Sequence, residues 1–173
     1  ILPTIMRHFR NDDILQVEVF SHKQGRRLNP KIAFDLFKEC DKIFERYDYP
    51  CILAVLSEGI DYYPEWVEYI KKNKHRYQIE LHGSKHYYYN SLSEEEGYKD
   101  LKQAKEKIEK EFGVKVTTWV VPHGVKKSPE WGLRVCKKLG LEIAVLSNPK
   151  NPYMFHFWHK GQVARVKRMI ENA

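Results

Sequence analysis

The sequence predicts an α/β protein built on a parallel β-sheet, and two features of the chain indicate this fold. Short apolar runs alternate with amphipathic segments about six times, the pattern of strands joined by right-handed helical crossovers. The run CILAVLS at residues 51–57 is almost continuously apolar, as expected for a strand covered on both faces. The alternation is compatible with an open doubly wound sheet or with a barrel. The chain has no glycine-rich loop after its first strand, which counts against a nucleotide-binding sheet.

The helices are recognised by apolar residues at helical spacing. In the first helix, Phe37, Cys40 and Phe44 recur three or four residues apart, so they lie on one face. The second has Pro64 near its first turn, where a missing backbone N–H costs no hydrogen bond. The predicted helices cover residues 30–47, 63–73, 93–113, 128–140 and 162–173.

Two of these helices carry clear start and stop signals. Ser93 and Glu96 have the spacing of a capping box, and Gly113 favours a stop. In the fourth helix, Ser128 is the expected N-cap and Gly140 the expected stop.

The strands are the apolar runs between these helices. They are predicted over residues 4–9, 51–57, 77–82, 115–122, 141–147 and 153–159. Residues 14–29 are ambiguous. We expect a long loop with a short strand, which would be a seventh strand.

Composition excludes several classes of protein. Hydrophobic residues make up 42% of the chain and charged residues 31%, which is typical of a folded globular protein and not of a disordered one. No stretch of about 18 apolar residues predicts a membrane span. The net charge of +7 fits a solvated surface, or attraction to an anionic polymer or a nucleotide-linked sugar. No nucleic-acid recognition signature is present, so no nucleic-acid partner is expected.

The cysteines and the first residue bear on the compartment. Cys40, Cys51 and Cys136 are far apart in apolar surroundings and form no CxxC pair. Buried free thiols are therefore expected, which favours a reducing, cytoplasmic environment. The chain begins with Ile1, so its N-terminus is expected to be trimmed, and the absence of a signal peptide says little.

Unusual polar residues follow the predicted strands. Functional groups collect at the carboxyl ends of parallel strands. Asn11, Asp12 and Asp13 follow the first strand, and His82 and His86 follow the third. The same rim is expected to carry Pro122, His123 and Gly124, and then His156 and His159. Five of the eight histidines are thereby predicted to meet at one edge.

A metal site is the sharper interpretation of this set. His82 and His86 are four residues apart, and one carboxylate added to them makes a three-ligand site with open positions. The second carboxylate is then free to act as a base. The alternative is a solvated Asn-Asp-Asp turn beside two surface histidines.

These residues resemble the motifs of polysaccharide deacetylases of carbohydrate esterase family four, in a divergent FR-(D/N)-DD form. FRNDDI is similar to the first motif, which implies Asp12 as general base and Asp13 as metal ligand. ELHGSKH is similar to the second motif, H-(S/T)-x-x-H. This implies His82 and His86 as the other two ligands, with Gly83 at the Ser/Thr position.

The third motif of the family, R-x-P-Y-G, is similar to WVVPHG. The resemblance implies that Pro122, His123 and Gly124 line the substrate groove and supply a backbone N–H to the oxyanion. Val120 stands in the place of the arginine, so the arginine contact to the base is expected to be missing. The fourth motif, an Asp and a Trp, has no counterpart.

The fifth motif, L-x-H, has two candidates in the sequence: Met154 with His156, or Phe157 with His159. Strand alternation separates the two histidines. We prefer His156 as the catalytic acid, because it follows the apolar run at the family's spacing, and His159 is the alternative.

The resemblance covers most of the chain and implies one catalytic domain over residues 1–173. Its fold would be a distorted (β/α) barrel of about six to seven parallel strands, which six strands alone would leave incomplete. The implied reaction removes an acetyl group from an N-acetylated sugar or polysaccharide. The implied cofactor is a divalent metal, Zn²⁺ by ligand type, with Co²⁺ or Ni²⁺ also suited to the same ligands.

Two other functions stay open at the level of sequence. One is a catalytically impaired, metal- or carbohydrate-binding pseudoenzyme, and the other is an amide hydrolase acting on a small acetylated substrate that is not a sugar. Trp119 and Trp158 are candidates for stacking on sugar rings, with core packing as the alternative. No membrane partner is expected.

Overall fold

The architecture is given by a computed structural model, which describes residues 8–17, 20–21, 26–27, 29–144 and 153–172. The strands are β1 (Phe9–Ile14), β2 (Phe20–Ser21), β3 (Arg26–Arg27), β4 (Cys51–Leu56), β5 (Tyr77–Gly83), β6 (Thr118–Trp119), β7 (Glu142–Ile143) and β8 (Tyr153–Phe155). The α-helices are α1 (Pro30–Arg46), α2 (Pro64–Lys72), α3 (Glu94–Phe112), α4 (Gly132–Leu139) and α5 (Lys160–Glu171).

Six of the strands form one sheet in the order β7-β6-β5-β4-β1-β8, and every neighbouring pair is parallel. The sheet curls into a half-barrel against the helices, which confirms the predicted fold class. In the described residues no ladder joins β7 to β8. The strands β2 and β3 pair with each other as a separate antiparallel pair, so they add no seventh strand to the parallel sheet.

Helix ends agree with their local signals in three of four cases. Ser93 and Glu96 form the capping box at the start of α3, and Gly113 ends it in the left-handed conformation, as Gly140 ends α4. The predicted cap at Ser128 is wrong, because α4 begins at Gly132. The N–H of Gly132 bonds to the carbonyl of Pro129, so the residues before the helix form a turn.

The predicted strand bounds needed more correction. The run at 115–122 narrows to β6, and β8 ends before His156. The runs at 4–9 and 141–147 extend into residues outside the described ones. The Asn-Asp-Asp segment lies inside β1 instead of after it, because pairing with β4 on one side and β8 on the other outweighs the turn preference of these residues.

Two buried acidic residues hold the framework. Glu80 on β5 accepts hydrogen bonds from the N–H groups of Thr117 and Thr118, at 3.0 and 2.7 Å, and so positions β6. Asp41 on α1 pairs with Arg76 and accepts a 2.7 Å hydrogen bond from the Tyr69 hydroxyl. None of the described helices is long and apolar enough to cross a membrane.

Candidate metal centre and active site

The site begins with an irregularity in β1. Asn11 pairs with Leu53 and Ile14 pairs with Val55, so β1 has one residue more than β4 between these two pairs. Asp13 lies within this bulge with a φ of 62°, a left-handed conformation that few residues other than glycine adopt. Bulges re-aim side chains, and this one brings the Asp13 carboxylate to the histidines.

Three imidazoles surround the buried Asp13 carboxylate. Its Oδ1 lies 3.3 Å from Nε2 of His82 and 3.2 Å from Nε2 of His86. Its Oδ2 lies 3.3 Å from Nε2 of His156. These histidines come from the end of β5, the loop after it, and the segment after β8.

The His82 ring is oriented by the backbone. Its Nδ1–H donates to the carbonyl of Val120 at 2.6 Å, so a neutral His82 has a lone pair on Nε2, which lies near Asp13. Two lone pairs 3.3 Å apart repel unless a proton or a metal ion lies between them. This is the arrangement in which a histidine ligand is held by an outer hydrogen bond.

The electrostatics of the site favour a charged carboxylate beside a positive group. Burial opposes ionisation of Asp13, but hydrogen bonds from His82 and His86 outweigh it and hold the pKa of Asp13 well below its usual range. Burial likewise opposes a charged His82, yet its hydrogen bond to Asp13 and the charges of Asp12 and Asp13 raise the pKa of His82.

The donor set itself suits a divalent metal. Asp13, His82 and His86 each offer one ligand atom, and these atoms all lie within 4.8 Å of one another. One carboxylate and two imidazoles suit zinc and the similar transition metals. The three predicted ligands are therefore brought together.

The loop that carries His86 is tied to α3 through Asp100. The Tyr89 hydroxyl donates to Asp100 at 2.6 Å, and the Ser84 hydroxyl donates to the same carboxylate. A Cβ on Gly83 would lie 2.1 Å from the Tyr89 hydroxyl oxygen, and Gly83 has a φ of 135°. This explains glycine at the position where the motif has Ser or Thr.

Asp12, the predicted base, has an arginine partner after all. Arg10 Nε lies 2.7 Å from one oxygen of Asp12, and an Arg10 terminal nitrogen donates to the other at 3.0 Å. Position 120 supplies no such contact, as expected, and Arg10 takes the place of the missing arginine. Residues i and i+2 lie on the same face of a strand, and that spacing in FRNDDI was the available signal.

The third-motif residues lie beside the histidines. His123 has a φ of 64°, and its ring stacks on Tyr88, with the ring centroids 3.6 Å apart. Its centroid lies 4.3 Å from that of His86. Burial and the nearby charge of His86 lower the pKa of His123. Pro122 is buried, and Gly124 is in a positive-φ conformation.

The structure separates the two candidates for the acid. His156 follows β8 directly and contacts Asp13, whereas His159 occupies the N-cap position of α5 and packs its ring against Trp158 at a centroid distance of 3.9 Å. Neither histidine is in the strand, so the predicted strand alternation does not apply to them.

The two tryptophans predicted as candidates for stacking on sugar rings are both buried. Trp119 has no exposed surface and lies in the core against Tyr89 and Trp131. It therefore cannot stack on a sugar in this structure, and core packing is the correct interpretation. Trp158 is also buried, but its ring lies 5.0 Å from that of His156, so it packs beside the candidate acid.

Sequence reasoning left the role of Asn11 open between the metal site and a turn. The Asn11 side chain instead accepts a hydrogen bond from the backbone N–H of Phe157 at 3.1 Å. Gln162, which drew no attention in the sequence, accepts one from the N–H of His156 at 3.1 Å. No local pattern predicts the first contact, because Asn11 and Phe157 are 146 residues apart. The second contact spans only six residues, and it depends on where α5 begins.

Comparison with protein families supports the resemblance. The family model described as polysaccharide deacetylase matches residues 34–144, more than half of the chain. The match contains His82, His86 and the Pro-His-Gly segment, whereas Asp12, Asp13 and His156 lie outside it. No curated protein gave a significant match.

Solved structures of low sequence identity share the fold. The peptidoglycan deacetylase PdaC from Bacillus subtilis superposes with a TM-score of 0.67 at 15% identity, over 96% of this chain and 82% of its own. A family 4 carbohydrate esterase from Streptomyces lividans, in complex with acetate, gives 0.70 at 12% identity over 96% and 86%. A family 4 pseudoenzyme from Bacillus anthracis gives 0.72 at 12% identity over 96% and 59%.

Proposed function

The chain belongs to the polysaccharide deacetylase family, a family of hydrolases, and we propose that it is a metal-dependent enzyme that removes the acetyl group from an N-acetylated sugar unit. The observation that carries the proposal is the convergence of Asp13 with three imidazoles beside the arginine-bound Asp12. Because a pseudoenzyme has the same fold, the proposal depends on these side chains and not on the fold.

Asp13, His82 and His86 would hold the metal. When bound, a divalent ion there supplies Lewis-acid chemistry, namely polarisation of the acetyl carbonyl and a lower pKa for coordinated water. Zinc fits the ligand types best, and cobalt or nickel would suit the same set.

The remaining residues would handle protons and charge. Asp12 takes the proton of the attacking water, and Arg10 keeps the two Asp12 oxygens in one orientation through its paired hydrogen bonds. The backbone N–H of His123, in the Pro122–Gly124 segment, would stabilise the negative oxygen of the tetrahedral intermediate. His156 would then protonate the leaving nitrogen as the C–N bond breaks, which releases acetate and a free amine.

The test measures metal content and acetate release together. Protein treated with a chelator should be inactive on an N-acetylglucosamine oligomer and regain activity with about one equivalent of zinc, cobalt or nickel. Asp12→Asn should keep the metal, because a base is not a ligand, and lose roughly two to four orders of magnitude in rate.

Two results would change the assignment. Stoichiometric metal with no hydrolysis of acetylated sugars would favour a pseudoenzyme. Hydrolysis limited to small acetylated compounds without a sugar would favour the other amide hydrolase.

A further inference from the structure

The two-residue segment that carries His156 is held from both sides by side-chain amides. The ladder between β1 and β8 pairs Phe9 with Tyr153 and ends where Asn11 pairs with Phe155. Beyond this point β1 bulges and turns at Asp13. The bulge that brings Asp13 to the histidines therefore also ends the backbone pairing with β8.

The Asn11 side chain continues the pairing where the backbone stops. Asn11 is 2% exposed, and its Oδ1 accepts the N–H of Phe157 at 3.1 Å. From the other side, Oε1 of Gln162 in the first turn of α5 accepts the N–H of His156 at 3.1 Å. Two consecutive backbone donors are thus bound by two neutral amides, one from β1 and one from α5.

We propose that Asn11 and Gln162 are positioning residues that place His156 for protonation of the leaving nitrogen. This inference rests on the proposed function, in which His156 is the acid. A neutral acceptor suits position 11, because a carboxylate there would add a third negative charge beside Asp12 and Asp13. Position matters here because displacement of a catalytic group by about 1 Å can cost a hundredfold in rate.

The test compares two substrates that differ in their leaving group. An N-acetylglucosamine oligomer releases an amine that must be protonated, whereas p-nitrophenyl acetate releases a phenolate that needs no acid. Asn11→Leu and Gln162→Leu keep the approximate side-chain size and remove the acceptor. Each should lower kcat on the sugar roughly 10- to 100-fold with little change in KM, and lower aryl ester hydrolysis by less than about threefold.

Three further variants separate positioning from general damage. Gln162→Glu keeps an acceptor oxygen and should recover part of the rate that Gln162→Leu loses. Asn11→Leu added to His156→Ala should cause no further loss on the sugar, because a positioning residue acts through its target. Gln78→Leu makes the same chemical change at the other end of the sheet, where Gln78 bonds to Glu80, and should leave both activities unchanged.

The failures are distinguishable. An equal loss on both substrates, no loss on either, or an additive loss in the His156→Ala background would overturn the inference. If His156→Ala itself spares sugar hydrolysis, the acid assignment in the proposed function fails first. If Asn11→Leu does not fold, Gln162→Leu on the half-buried face of α5 decides the question alone.

Discussion

Asp41 of α1 and Asp13 of β1 lie near opposite ends of β5. They are equally buried, at 4% exposure, but their side chains have different kinds of partner. Asp41 lies near the start of the strand and is paired with Arg76 and the Tyr69 hydroxyl. Asp13 lies near the end of the strand and has three imidazoles as neighbours. Their partners, and not their burial, make the difference.

The negative charge of Asp41 is balanced by Arg76, and its carboxylate also accepts a hydrogen bond from Tyr69. The Arg76 guanidinium stays charged at any ordinary pH, and burial together with the hydrogen bond to Asp41 raises the pKa of Tyr69. The group therefore holds its own charge balance and needs no additional ion. Imidazoles can give up their protons, so the metal that we propose would replace protons within the Asp13 group. A buried carboxylate surrounded by histidines is typical of a metal ligand, whereas one paired with arginine and tyrosine is typical of a structural residue.

The comparison breaks most sharply if the Asp13 group does not bind metal. Asp13→Ala and His82→Ala each remove one of three protein ligands, so we expect both to abolish stoichiometric metal binding and measurable deacetylation. Metal analysis of the purified variants measures this directly. Full zinc occupancy in either variant at micromolar metal would place the site elsewhere.

Asp41→Ala is the matched change at the other end of the strand. It leaves the Arg76 guanidinium buried without its carboxylate, so the free energy of unfolding should fall by about 3–5 kcal/mol. The folded fraction should still bind about one equivalent of metal. Denaturant titration and metal analysis check both parts, and metal loss in the folded variant would remove the contrast.

The next prediction compares His156 with His159, the two candidates for the general acid. Nε2 of His156 lies 3.3 Å from the Asp13 carboxylate, so His156→Ala should lower hydrolysis of an acetylated amino sugar by roughly two orders of magnitude or more. His159→Ala should lower it by less than about tenfold, with metal content unchanged in both. The reverse ranking in steady-state rates would move the acid to His159.

The smallest expected effect is at Arg10. Its ion pair with Asp12 resembles the Asp41–Arg76 pair in chemistry, but it lies beside the Asp13 group. Arg10→Leu should lower kcat about tenfold while the metal stays bound, since Asp12 loses its fixed orientation. Arg10→Lys should recover only part, because lysine cannot make the paired contact. Arg134→Leu, which removes an exposed pair with Glu94, serves as the control and should have no effect on kcat. An Arg10→Leu enzyme with normal kcat would show that the pair is structural only.

Local signals predicted the elements whose causes are local. Helix α3 was predicted within one residue at each end, because the capping box and the terminal glycine each lie at the helix end that they determine. The HxxxH spacing and the Asp pair also predicted a ligand set that the fold brings together. Strand bounds were less predictable, since β6 and β8 end where their neighbours stop pairing.

The sequence by itself determined the parallel α/β class and the residue types of the site, since periodicity, caps and motif spacing lie within a few residues of each other. Only the tertiary structure decided that Asp13 sits in a bulge and that His156 reaches the Asp13 carboxylate. These depend on register between strands that are far apart in the chain. A bulge of one residue in β1 changes which side chains meet, and no pattern within FRNDDI encodes the position of β8.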